Sequence, residues 1–205
     1  HYTISPKDLN AVVECVRDSV SLLEESEDSD VVALANGLFD LRTKELRPFS
    51  PKVVLTSKAS VAFNEDAATC PVIDGRWSVD EWIRELANND TEVEPLFWQI
   101  IAALFRPDHS FDKAVLLYSP TGSNGKGTFL ELLRHLVGVD RVATLSISDF
   151  GEQFLPEALC SAFAVLSDEN EVGDFLRKAG AFKAWVTHDW IRINVKYGPA
   201  RSVKG

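Results

Sequence analysis

The chain of 205 residues contains no methionine, only three tyrosines and only three cysteines. Cys15, Cys70 and Cys160 are odd in number and far apart, with no C-x-x-C pair. That spacing argues against a disulfide framework and against structural zinc, and fits a reduced, cytosolic compartment. The four histidines (His1, His109, His135, His188) show no metal-ligand spacing. No apolar run approaches the roughly 20 residues that a membrane-spanning helix needs, and the first segment lacks a signal-peptide pattern, so no membrane association is expected. The missing methionine, at the first position too, points to a piece of a longer chain.

Charge is unevenly spread. The formal net charge is −10, and residues 1–100 hold 9 Lys/Arg against 19 Asp/Glu, whereas residues 101–205 hold 12 of each. The excess acid therefore lies entirely in the first half. Residues 177–205 carry seven basic side chains against the single acid Asp189, so a nucleic-acid contact is best sought at that end.

What organises the chain is Leu116 to Leu133, LLYSPTGSNGKGTFLELL. A β-type run, Ala114 to Tyr118, enters a loop of small residues, and at Lys126 a helical pattern begins with Phe129, Leu132, Leu133 and Leu136 on one face. Strand, glycine loop and helix in this order form the phosphate-binding P-loop. A polyphosphate must be wrapped by backbone N–H groups, so side chains have to be small where it approaches. Gly122, Ser123, Asn124, Gly125, Gly127 and Thr128 supply that cradle, and Lys126 reaches the outer phosphates. Two departures stand out against G-x-x-x-x-G-K-[ST]: Pro120 replaces the first glycine, and Gly127 replaces the hydroxyl residue. Thr128 follows, rotated by roughly 100° about the helix axis, which leaves the hydroxyl ligand of Mg²⁺ open.

Upstream, Ser5-Pro6 opens a helix with Leu9, Val12, Val13, Val16, Val20 and Leu23 at helical spacing, followed by a solvated acidic run, Glu24 to Asp30. Val31 to Pro51 reads as short strands joined by tight turns, and Val53 to Phe63 as another strand. Two helices with capping boxes follow, Ser78 with Glu81 and Thr91 with Glu94. Downstream, Gly138 stops the glycine-loop helix, and Val142 to Leu145 and Ala162 to Leu166 read as strands, the second a buried parallel one. Gly173 to Trp185 can form a helix and Trp190 to Val195 a strand. The predicted organisation is an N-terminal helix and acidic linker (1–30), a small α+β domain (31–105), and an α/β P-loop NTPase core of AAA+-like type with a parallel sheet (106–205).

The run after Leu166 is Ser-Asp-Glu-Asn-Glu, acids at the carboxyl end of a strand, where open α/β sheets bind ligands. Asp168 is the candidate metal carboxylate and Glu169 the candidate base for the attacking water. Acids here also cap helices, which is the plainer reading. Lys196-Tyr197, at the turn after the last strand, offers a cation to a phosphate and a ring to a base.

Three segments together, Tyr118 to Phe129, Leu166 to Gly173 and Phe182 to Asp189 with Ile191 to Lys196, resemble the helicase part of phage and plasmid primases of the satellite-phage and poxvirus type. These are superfamily 3 helicases with an AAA+ core. Ala35 to Leu41, Leu46 to Pro51 and Cys70-Pro71 are similar to the small domain preceding that motor. The resemblance implies an ATP- and Mg²⁺-dependent motor in a bacterial host cell, assembled as a ring, usually a homo-hexamer. It implies movement on single-stranded DNA with 3′ to 5′ polarity, alongside other replication proteins. Lys126 would contact phosphates, Asp168 and Glu169 would serve metal and water, Lys196 with Tyr197 would line the pore, and Lys183 matches a family lysine. The family often has glycine where this chain has His188, and its sensor and arginine finger would lie beyond Gly205. Two other readings remain: a non-enzymatic module with a degenerate loop, and a small-molecule kinase, the latter weakened because residues 134–176 hold only Arg134 and Arg141.

Overall fold

The computed structural model describes residues 5–20, 26, 30–55, 58–68, 72, 74–75, 77–106, 111–152, 159, 162–167, 179–194 and 200–204. These form a mixed α/β structure with three small sheets. No helix among the described residues is long and apolar enough to cross a membrane.

Helix α1 (Pro6–Ser19) starts at a capping box, as its sequence requires: Ser5 Oγ accepts from Asp8 N at 3.2 Å and Asp8 Oδ2 accepts from Ser5 N at 3.1 Å. Its apolar stripe, Leu9, Val12, Val13 and Val16, stays exposed. Strands β1 (Val31–Leu34), β2 (Gly37–Asp40) and β3 (Leu46–Arg47) form an antiparallel meander, with Val32 opposite Phe39 and Phe39 opposite Leu46. All four β1 residues are buried because the sheet is covered on both faces. Val31 and Ala33 pack with Leu38, and Val32 and Leu34 pack with Ala59, with Phe105 and Phe163 against them.

Among the described residues of 53–63, which are 53–55 and 58–63, the expected strand does not form. The chain instead touches β1 at two points, Ala59 N to Ala33 O at 2.9 Å and Ala35 N to Val61 O at 2.8 Å, and Ser60 N donates to Val137 O at 3.3 Å. Residues 59–61 thus tie the meander to the C-terminal end of the glycine-loop helix.

Helices α2 (Val79–Leu86) and α3 (Val93–Ala103) follow. Ser78 caps α2, with Ser78 Oγ accepting from Glu81 N at 3.2 Å. The expected capping box at Thr91 is absent, because Asp90 takes the role: its Oδ1 accepts from Glu92 N at 2.8 Å and Val93 N at 3.2 Å. A carboxylate accepts these N–H groups more strongly than a threonine hydroxyl does. Both helices pack on α4 (Lys126–Val137) through Ile83, Phe129 and Leu133, and Leu166 joins the same cluster. Gly138 ends α4 with φ 103°.

The last core combines β4 (Val142–Thr144) and β5 (Ala164–Leu166), parallel with Ala143 opposite Val165, and the hairpin β6 (Trp190–Ile193) and β7 (Arg201–Lys204). Helix α5 (Ala179–Val186) closes it, with Phe150 stacked edge-on to Phe182 at 5.7 Å. The parallel sheet has two strands among the described residues. Ala114 to Tyr118, expected as its P-loop strand, forms no strand, with Leu116 72% and Tyr118 81% exposed.

Asp40 fixes the β2–β3 turn. Its carboxylate accepts from Arg42 N at 3.0 Å, Thr43 N at 3.1 Å and Arg47 at 2.9 Å. The Thr43 N–H, then the Arg42 N–H and the Arg47 and Arg42 charges, hold its carboxyl below the ordinary 3.8, against the opposing effect of burial. A depressed carboxyl contributes stability that is complete above the ordinary value and lost as pH falls through the folded one. Urea midpoints should therefore drop below about pH 3.8 in the parent, and Asp40→Asn should be less stable at pH 7 with a smaller drop on acidification. Identical pH profiles would contradict this account of the turn.

Candidate functional site

Helix α4 is positioned by its own apolar face. Phe129, in its first turn, is 1% exposed and meets the edge of Phe97 at 4.9 Å, which fixes where the loop before it must end. The loop reaches that point through two left-handed residues, Ser123 at φ 55° and Gly125 at φ 84°. A Cβ on Gly125 would come within 2.5 Å of Leu86 Cδ2, so any other residue here needs the Leu86 methyl to move and must also take up the left-handed backbone.

The helix start is uncapped. Gly125 is the N-cap residue and has no side chain to offer, and the first helical bond runs from Phe129 N to Gly125 O at 2.9 Å. The N–H groups of Lys126, Gly127 and Thr128 therefore precede the helical ladder and carry the positive end of its dipole. Lys126 is half-buried, and its Nζ donates to Asn124 Oδ1 at 2.6 Å, while Asn124 Nδ2 donates to Thr121 O at 2.6 Å. The loop is thus braced from within, and the lysine charge is parked beside the helix start. Such a start, with a cation next to it, is suited to an anion.

Gly122, Ser123, Asn124, Gly125, Lys126, Gly127 and Thr128 lie together as one loop and helix start. Thr128 is exposed on the first turn and Gly127 contributes only backbone. Asp168 and Glu169 lie outside the described residues, directly after Ser167 at the end of β5. Leu166 and Phe129 share one core, so β5 ends in the same packing unit as α4. Among the described residues no group of three or more His, Cys, Asp or Glu could hold a metal ion. Lys183 is exposed on α5 and is not in the loop cluster, and Lys196 and Tyr197 lie outside the described residues. His188, which departs from the glycine of the resembling family, has φ 56°, the conformation glycine adopts most readily, and its Nε2 lies 3.7 Å from Asp112 Oδ1.

Beside the loop is a cleft of about 560 Å³, walled on one side by Trp82, Glu85, Leu86 and Asn88 and on the other by the loop, including Thr121 and Asn124. These α2 residues carry no motif that assigns them to a site. Their signal was the three-residue spacing of Trp82, Glu85 and Asn88, which sets them on one side of the helix end.

Residues 1–94 match the family model described as D5 N terminal like (D5_N), and residues 117–205 match a family of unknown function (DUF5906). No curated protein matches the chain. The first match supports a likeness to the N-terminal part of the D5 primase-helicase type over those 94 residues.

Gly125→Ala separates backbone from packing. The left-handed conformation should cost about 1–2 kcal/mol in urea denaturation, and in a double-mutant cycle with Leu86→Ala, which itself loses packing on the α4 cluster, the coupling should report only the part due to side-chain contact. A neutral Gly125→Ala would mean that the loop does not hold this geometry in solution.

Proposed function

We propose that this chain carries the nucleotide-binding part of a replication motor of the primase-helicase type, an ATPase whose glycine loop holds the phosphates of ATP. The observation that carries it is the uncapped start of α4 with Lys126 beside it. Phosphate oxygens accept from the backbone N–H groups between Gly122 and Thr128, and Lys126 Nζ exchanges Asn124 Oδ1 for an outer phosphate oxygen. Thr128 and Asp168 are the residues that would hold Mg²⁺, which would offset the charge of the phosphates there. Glu169 accepts the proton of the attacking water. In this reading Ala114 to Tyr118 pairs beside β5 once the nucleotide is held, completing a parallel sheet of the AAA+ kind. Leu117 already packs on the cluster containing Leu166, which supports that placement.

As a motor the protein acts as a ring, a homo-hexamer in the resembling family, on single-stranded DNA, with Lys183, Lys196 and Tyr197 as the DNA-facing candidates. A bacterial cytoplasm is the setting such a replication protein needs. One observation favours a second reading, a nucleotide-binding module without catalysis: Gly127 leaves no hydroxyl at the usual position and Lys126 is already hydrogen-bonded.

Calorimetry with a non-hydrolysable ATP analogue, with and without Mg²⁺, tests the site. Micromolar binding is expected in the parent, weakened about tenfold or more by Lys126→Ala, equivalent to about 1.4 kcal/mol or more. Equal binding by both proteins would remove Lys126 from the site.

A further inference from the structure

The cleft beside the loop has two chemically different walls. The loop wall is Ser119, Thr121, Asn124 and Gly125, and Lys126 stands behind it at the helix start, its Nζ donating to Asn124 Oδ1 at 2.6 Å. The α2 wall offers the Trp82 ring, the Leu86 side chain, the Glu85 carboxylate and the Asn88 amide, and no cation. Trp82 is half-buried with its ring 6.5 Å from Phe129, so its plane is set by the core. Asn88 is held at φ 53° in the turn that ends α2, its N–H donating to Glu85 O at 2.9 Å. Among the described residues neither Glu85 nor Asn88 spends its side chain on a hydrogen bond or ion pair.

Resting on the nucleotide reading above, we propose that the cleft is the nucleoside subsite: the base lies against Trp82 and donates its exocyclic amine to Glu85, which selects amino-bearing bases. The polarity follows from charge. A phosphate on the α2 wall would face a carboxylate without a compensating cation, whereas at the loop it meets N–H donors and Lys126. The carboxylate accepts only, so it calls for a donor on the ligand, and an exocyclic amine provides one. The aromatic ring and Leu86 supply the apolar surface that a base needs for stacking. A volume of about 560 Å³ lies within the usual range for small-molecule sites. Gly125 of the loop and Leu86 of α2 both line the cleft, which puts the base site next to the helix start.

The test compares ATP, purine riboside 5′-triphosphate, which lacks the amine, and inorganic tripolyphosphate on the full chain. The parent should bind ATP about tenfold more tightly than the amine-free nucleotide. Glu85→Ala, an exposed position whose thermal melt should match the parent, should weaken ATP alone and erase that preference. Trp82→Leu should weaken both nucleotides and leave tripolyphosphate unchanged. Retained preference in Glu85→Ala, with ATP still exceeding tripolyphosphate by the parental ratio in Trp82→Leu, would place the base elsewhere and overturn the proposal. If the parent binds neither ATP nor tripolyphosphate, the phosphate site itself fails, and the subsite fails with it.

Discussion

Phe129 stands in the first turn of α4 with 1% of its surface exposed, between the edge of Phe97 at 4.9 Å and the ring of Trp82 at 6.5 Å. Burying such a ring contributes roughly 1.5–3 kcal/mol, but its larger effect is positional. The residue belongs to the segment that must meet a ligand and also to the core that joins α2, α3 and β5. Because Phe129 cannot move without opening that core, the loop before it must close the remaining distance through left-handed Ser123 and Gly125. The close approach of Leu86 to Gly125 then follows, and so does the cleft between α2 and the loop.

This packing crosses the gap between the two family matches. Residues 1–94 contain α2 and the first residues of α3, while residues 117–205 contain α4 and β5. Their shared cluster of Ile83, Phe129, Leu133 and Leu166 makes the two matched regions structurally dependent on each other. The segment 58–63 adds a second tie, hydrogen-bonded at Ala59 to β1 and at Ser60 to the end of α4. A helix that receives contacts at both ends from the preceding region is well placed to pass a change at its N-terminus to the meander.

What could be read from sequence was what local chemistry decides. Ser5 before Pro6, Ser78 before Glu81, Gly138 after Val137 and the Asn36-Gly37 turn all act through neighbours within a few residues, and the structure contains them as caps and turns. Thr91 lost its cap to Asp90 because two acceptors compete for the same N–H groups, and spacing alone does not rank them. The run Ala114 to Tyr118 has strand composition but no partner, and β-propensity measures a fit to neighbours that one segment cannot supply. Trp82 carries a double role that periodicity cannot separate: a ring on the core side of a helix can also wall a cleft. The departure at His188 was legible as a backbone question, and its φ of 56° answers it with a conformation that histidine adopts more often than most residues do. Asp168, Glu169, Lys196 and Tyr197 lie outside the described residues, so their roles rest on the sequence.

The central claim is that the glycine loop and the start of α4 close on a nucleoside triphosphate. Amide hydrogen exchange over residues 111–130, with and without Mg²⁺ and a non-hydrolysable ATP analogue, tests it directly. The account predicts slowed exchange at Gly122 to Thr128, where phosphates take the N–H groups, and at Ala114 to Tyr118, where a strand pairs. Unchanged exchange across both segments at saturating nucleotide would contradict it.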